Sequence, residues 1–283
     1  TTTTTTTTTT RTTATTTTMN YNEFLESKKK TIIQSGFDIN QNQLNYNLFP
    51  FQKFIVQRAL NAGKYAIFAD CGLGKTLMQL TWAEQVVKKT NKPVLILAPL
   101  AVVGQTKHEG LKFGINMTNI FVYNYEQINN LDCSIYSGIV LDESSILKNY
   151  EGETKKLIID NFKFTPYKLA CTATPSPNDP MELGNHSEFL DIMSRNEMLA
   201  MYFVHDGGET AKWRLKGHAI KSFYQFLNSY NNILKLKNLE IVNYNSITQE
   251  MFSSLINLGE NKISPQYKQI LLQNISMLSS IKP

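Results

Sequence analysis

The sequence predicts an α/β chain whose sheet is mostly parallel and carries helices on both faces, and three observations lead there. Short apolar runs alternate with amphipathic stretches, a glycine-bearing loop joins the first run to its helix, and an acidic pair follows a later run directly. In such sheets ligands gather at the carboxyl ends of the strands, which is where both the loop and the acidic pair fall.

The chain has 283 residues, of which 42% are hydrophobic, enough for a sizeable core and against disorder throughout. A net charge of +5 permits contact with phosphate-bearing partners without demanding it. Cys71, Cys133 and Cys171 are too far apart for a ligand cluster and resemble no disulfide framework, so a reducing, cytoplasmic setting is expected. The longest apolar run, Val94 to Val103, is broken by Pro99 and is too short for a membrane span; nothing near the start has a signal-peptide core.

In chain order, residues 1–18 are almost pure threonine, cannot bury apolar surface, and are expected to form a disordered leader. Residues 19–46 make a polar, asparagine-rich extension read as a surface helix and loop; its Lys28-Lys29-Lys30 run is a solvated face or a nucleic-acid contact. An amphipathic helix opens at Leu48-Phe49-Pro50-Phe51-Gln52 and closes near Gly63. Gln52 stands at its start, where an amide is either a surface group or a reader of an adenine edge through paired donor and acceptor.

The run Tyr65-Ala66-Ile67-Phe68 reads as a buried strand, followed by Ala69-Asp70-Cys71-Gly72-Leu73-Gly74-Lys75-Thr76 and a helix from Leu77 to Ala83. A strand, a glycine loop and a helix start aim backbone N–H groups and a positive dipole end at one point, which suits an anion. Gly72, Leu73 and Gly74 would cradle phosphates, Lys75 would reach the β/γ-phosphates, and the Thr76 hydroxyl would take a position on magnesium. A plain strand-to-helix turn with a lysine at its exit is the alternative.

Further strands are expected at Pro93 to Pro99, Ile120 to Tyr123, Gly138 to Leu141 and Lys168 to Cys171, with a loop and helix over Leu100 to Phe113. The fourth strand runs straight into Asp142-Glu143-Ser144-Ser145. There Asp142 suits magnesium and Glu143 suits general-base work on water, although an acidic helix cap would use the same residues. Thr172-Ala173-Thr174-Pro175 offers two hydroxyls at a strand end, which could bond the acidic pair, or a plain proline turn.

Together, Phe51-Gln52, Asp70 to Thr76, Ala98-Pro99-Leu100, Tyr123-Asn124-Tyr125-Glu126, Asp142 to Ser145 and Thr172 to Pro175 resemble, in order, the first motor lobe of superfamily-two helicases. The chain is most similar to the Swi/Snf-like branch and its phage-borne DEAD/DEAH-type members, in which alanine is common at the Ala69 place. Met181-Glu182-Leu183-Gly184-Asn185-His186 and the stretch from Phe203 to His218 share the likeness, which covers about Asn47 to Phe226. The resemblance implies a RecA-like P-loop NTPase lobe over 47–194 and a basic and aromatic extension over 195–226, and ends there. Residues 227–283 are expected to be a divergent helical tail, from a truncated or frame-disrupted gene or one whose second lobe is a separate chain, with Tyr267, Leu271, Ile275 and Leu278 on one helix face.

It also implies ATP and Mg2+ as cofactors and DNA as partner. Gln52 would contact adenine, Lys75 and Thr76 would hold phosphates and metal, Asp142 would complete the metal site, Glu143 would activate water, and Thr172 and Thr174 would couple hydrolysis to movement. Pro99, Gln105 and Tyr125 fall near the segments that touch the nucleic-acid backbone. Trp213, flanked by Lys212 and Arg214, either stacks on a base or docks its segment onto the lobe. His205, Asp206 and His218 fit no common zinc spacing.

A complete motor of this class closes its site with a second lobe whose arginine stabilises the transferring phosphoryl group, a contribution of roughly three to five powers of ten in rate. The arginines here are Arg11, Arg58, Arg195 and Arg214, with none beyond. The expectation is therefore an ATP-binding first lobe of a DNA-dependent ATPase with very slow turnover alone and a second lobe in trans. The alternative is a non-catalytic, ATP-gated binding module.

Overall fold

The computed structural model describes residues 35–148, 152–176, 180–205 and 213–234, all within the compact unit Gln34–Pro283. The threonine leader, the Lys28-Lys29-Lys30 run, Asp206, Lys212 and the tail beyond 234 lie outside them.

Helix α1 (Pro50–Ala62) starts with proline in its first turn, where a missing N–H costs nothing, and ends at Gly63, whose positive φ of 78° lets its N–H bond the Ala59 carbonyl. Strand β1 (Lys64–Ala69) follows, then α2 (Lys75–Thr90), β2 (Val94–Ala98), α3 (Leu100–Lys112) and β3 (Ile120–Asn124). Strand β4 (Gly138–Asp142) precedes a 3-10 turn at Ser144–Lys148; α4 (Glu153–Asn161) and β5 (Tyr167–Thr172) complete the alternation. Beyond them come α5 (Leu183–Phe189), α6 (Arg195–Tyr202), the antiparallel pair β6 (Phe203–His205) and β7 (Trp213–Leu215), α7 (Ile220–Tyr230) and β8 (Asn231–Leu234).

The main sheet runs β3-β2-β4-β5-β1-β8, every pair parallel. The expected α/β class and the five expected strands are present. Each strand of the centre is buried on both faces, which explains its near-continuous apolar sequence. On one face Ile67, Ile96, Val140 and Leu169 pack with Ile55, Val56 and Leu60 of α1 and Met78, Trp82 and Val86 of α2. The alternate residues Phe68, Leu97, Ile139 and Leu141 point to the other face, where Leu147, Ile158, Phe162 and Phe189 are also buried. Each fully buried side chain of this size contributes about 1.5–3 kcal/mol through area removed from water.

Structural elements and contacts cross two of the expected boundaries. The break at 226 falls inside α7, and the chain then adds β8 as a sixth strand alongside β1, with Ala66 opposite Asn231. Ahead of position 46, Leu44 is buried, and Phe37 donates its N–H to the Leu60 carbonyl and sets its ring edge-on to Tyr167. Polar composition hid both, because a few well-placed apolar side chains suffice to anchor such segments.

Candidate nucleotide site

The loop between β1 and α2 is shaped by two glycines with positive φ, Gly72 at 85° and Gly74 at 74°. A Cβ on Gly74 would stand 2.5 Å from Gln52 Nε2, whereas one on Gly72 would meet nothing within 4 Å, so Gly72 marks the open side of the loop. Gln52 itself is buried. Its Oε1 accepts the Phe49 N–H at 2.9 Å and its Nε2 donates to the Leu73 carbonyl at 2.8 Å, so the glutamine ties the start of α1 to the loop.

Lys75 begins α2, and its ammonium donates to the loop's own carbonyls, Ala69 at 2.9 Å and Asp70 at 3.3 Å. The loop therefore presents a cation at a helix N-terminus whose first amides have no intrahelical acceptor.

Strand β4 delivers the acidic pair two positions across the sheet, with β5 between it and β1. One turn beyond Lys75 on α2, Gln79 Nε2 donates to Asp142 Oδ1 at 2.8 Å. Burial pushes the Asp142 carboxyl above its usual range; the Gln79 bond opposes this, the Glu143 charge adds to it, and the Lys75 charge pulls it down. Ammonium and carboxylate thus share one electrostatic neighbourhood.

Glu143 has a positive φ of 61°, a conformation that costs a non-glycine residue of order 1 kcal/mol or more. Its Oε1 accepts from Thr172 Oγ1 at 2.5 Å and Ser145 Oγ at 2.8 Å. Thr172 is buried at the tip of β5, and its hydroxyl also accepts the Thr174 N–H at 3.0 Å. The two threonines and the glutamate are therefore one hydrogen-bonded unit, with Thr174 joining through its backbone.

Behind the acidic pair, helix α5 buries three polar side chains in a row. His186 Nε2 lies 3.0 Å from Ser144 Oγ, and Asn185 Nδ2 donates to the carbonyls of Leu147 and Lys148. Lys155 of α4 donates to Asn185 Oδ1 at 3.0 Å and pairs with Glu188 at 2.7 Å. Burial pushes the His186 imidazole down to about 4.

Of the nucleic-acid candidates, Pro99 caps α3 and Gln105 is exposed on it, bonded to Glu109 at 2.9 Å. The register Ala98 opposite Asn124 brings Pro99 and Tyr125 to adjacent strand tips. Tyr125, however, is buried and donates its hydroxyl to the Asp142 carbonyl at 2.7 Å; burial and the two carboxylates hold its pKa well above the usual range. Trp213 is half-buried with its ring edge-on to His205, centroids 5.0 Å apart, and Arg214 is exposed beside it in the separate two-stranded sheet.

Sequence reasoning missed Gln79, Asn185 and His186. The spacing of Gln79, four residues after Lys75 and so on the same helical face, was a usable signal. Asn185 and His186 lay in a stretch that shares the family likeness, but nothing in the residues themselves pointed to their contacts with the acidic segment.

For a magnesium ion the donor chemistry fits. The Thr76 hydroxyl makes no hydrogen bond among the described residues, Gln79 Oε1 is buried without a partner, and Asp142 supplies a carboxylate bonded to the same Gln79. Magnesium takes one or two protein carboxylates and completes its shell with water and phosphate oxygens. No larger His, Cys, Asp and Glu cluster able to hold a metal occurs among the described residues.

No protein-family model matches the chain. It is 29% identical over 168 residues to a SWI/SNF-related matrix-associated actin-dependent regulator of chromatin subfamily A-like protein 1 homolog of Caenorhabditis elegans, covering 51% of this chain and 24% of that protein. It is 28% identical over 178 residues to putative protein p41 of Acyrthosiphon pisum secondary endosymbiont phage 1, covering 50% of this chain and 38% of that one. The chain thus spans well under half the length of either relative. Among solved structures, the Sulfolobus solfataricus SWI2/SNF2 ATPase core in complex with dsDNA matches with a TM-score of 0.54 at 18% identity, over 85% of this chain and 59% of that one. At that identity the likeness shows the fold, a RecA-like lobe with its parallel sheet and flanking helices.

Proposed function

We propose that this Swi/Snf-like helicase lobe, which has phage-type relatives, is the ATP- and magnesium-binding part of a DNA-dependent ATPase. The observation that carries the reading is the bond between Gln79 and Asp142, which joins the helix of the phosphate loop to the acidic strand end.

Lys75 leaves the Ala69 and Asp70 carbonyls for the β/γ-phosphates, while the loop amides bind the remaining oxygens. Thr76 and Asp142 hold magnesium, which when bound neutralises phosphate charge. Glu143 takes the proton of the attacking water at Oε2, because Oε1 is spent on Thr172 and Ser145. Gln52, whose Oε1 and Nε2 already bond Phe49 and Leu73, would contact adenine through its remaining N–H and lone pair. Thr172 and Thr174 pass the state of the site to the segment beyond β5.

Duplex DNA is the proposed partner. Pro99 and Gln105 are the proposed backbone contacts, with Trp213, Arg214 and Lys212 on the extension. Among the described arginines, Arg58 donates to the Asn228 carbonyl, Arg195 opens α6 and Arg214 lies in β7. Fast turnover is proposed to draw on an arginine outside these residues, contributed by a second lobe, without which turnover is slow.

Titration with a fluorescent ATP analogue, and phosphate release with and without duplex DNA, test this. Magnesium-dependent binding is expected, lost in Lys75→Ala with the fold intact, and kept in Glu143→Gln with any residual turnover gone. Unchanged affinity in the lysine variant would move the site elsewhere. Brisk, DNA-stimulated hydrolysis by the chain alone would show that no further arginine is required.

A further inference from the structure

The acidic segment is held from below as well as from the side. Ser144, the residue after Glu143, is fully buried, and its hydroxyl meets His186 Nε2 at 3.0 Å. The imidazole is itself fixed: it stands edge-on to Phe68 of β1, centroids 5.1 Å apart and planes at 81°. Phe68 is the register partner of Thr172, so both side chains point to the same face of the sheet. One ring thus touches the strand that leads into the phosphate loop and the segment that carries Glu143, beneath the bond between Glu143 and Thr172.

We infer that His186 is a positioning residue for Glu143: through the Ser144 hydroxyl it holds the backbone at φ 61°, and so aims the carboxylate at Thr172 and the attacking water. This rests on the nucleotide reading above. Remove the ring nitrogen and Ser144 keeps a buried hydroxyl with no partner, while Glu143 loses what opposes relaxation to an ordinary φ. The carboxylate then swings off line. Nucleotide affinity is set chiefly elsewhere, by the glycines of the loop after β1 and by Lys75 and Thr76 at the start of α2. Burial, which keeps the imidazole neutral at working pH, leaves one ring nitrogen for the serine.

The test compares His186→Phe, which keeps a ring, with His186→Gln, which restores an amide near the place of Nε2, in the full chain. Amide hydrogen exchange over 143–146 is measured with and without the fluorescent analogue. Hydrolysis is followed in single turnover with protein in excess, so that slow rates register. In His186→Phe we expect exchange at these amides to rise about tenfold or more. Hydrolysis should fall by about tenfold to a hundredfold while affinity stays within about threefold, and His186→Gln should recover both.

Unchanged exchange and hydrolysis in His186→Phe overturn the inference. So does a His186→Gln chain that melts like the parent yet behaves like the phenylalanine variant. If the parent chain fails to bind the analogue at all, the nucleotide reading falls, while exchange measured without nucleotide still decides whether His186 holds the acidic segment.

Discussion

Gln79 Nε2 donates to Asp142 Oδ1 across 2.8 Å, and the other amide atom of the same side chain, Oε1, is buried without a partner. A fully buried glutamine so placed is tuned to the carboxylate rather than to the core. Gln79→Leu keeps the volume and removes the donor, leaving Asp142 less well supported. Stability should fall by about 1–3 kcal/mol. Magnesium-dependent affinity for the ATP analogue should fall by roughly tenfold, about 1.4 kcal/mol. Thermal melts and titrations with and without magnesium read the two effects separately.

Thr172 is the hinge between the acid and the segment after β5, since its hydroxyl donates to Glu143 and accepts the Thr174 N–H. Thr172→Val conserves shape and removes both bonds. Single-turnover hydrolysis should drop about tenfold to a hundredfold with analogue affinity within about threefold, and Thr172→Ser should stay near the parent. Equal rates in the valine and parent chains would detach this hydroxyl from the chemistry.

The two loop glycines should respond differently to alanine. Both have positive φ, which costs an alanine roughly 1–2 kcal/mol, but only at Gly74 does the new methyl also run into Gln52. Gly74→Ala should therefore lower the melting temperature more than Gly72→Ala, by roughly 2–4 °C for each further kcal/mol. Gly72→Ala should chiefly weaken analogue binding, because its methyl projects into the open side of the loop. A larger melting loss at Gly72 would reverse the assignment of which glycine faces the ligand.

His186 gives the folded chain a specific pH dependence. Its imidazole is held near 4 in the folded state against 6.5 unfolded, so between those values the unfolded chain binds the extra proton. Its contribution is intact above about pH 6.5 and is lost as pH falls towards 4, by about 3 kcal/mol in all. Urea titrations at about pH 7, about 5.5 and about 4.5 should show a loss that His186→Gln reduces. An identical pH profile in the glutamine variant would remove this histidine as its cause.

Strands and loop were legible because both are written in local chemistry. Tyr65 to Phe68 and Val94 to Ala98 are unbroken apolar runs, and the glycines before Lys75 announce a backbone that only glycine adopts cheaply. The bond between Glu143 and Thr172 was legible from residue type and order, whereas Asp142, expected to share it, pairs with Gln79 instead. The buried glutamine at 79 and the α5 network were not, since their meaning depends on which strands become neighbours. Tyr125 is the clearest case: its letters suit a surface contact, yet the fold turns its hydroxyl inward to Asp142. β8 escaped for a related reason, because Asn231-Asn232-Ile233-Leu234 has too few apolar positions to stand apart from a polar loop.

The backbone at Glu143 also bears on how this position would evolve. Glycine or asparagine fits a φ of 61° with less strain than glutamate does, so the acid persists against the preference of its own main chain. A randomised library at residue 143 sorted only for heat resistance should drift towards glycine. The same library sorted for nucleotide-driven work should return to glutamate, and the gap between the two winners would measure what this carboxylate is kept for.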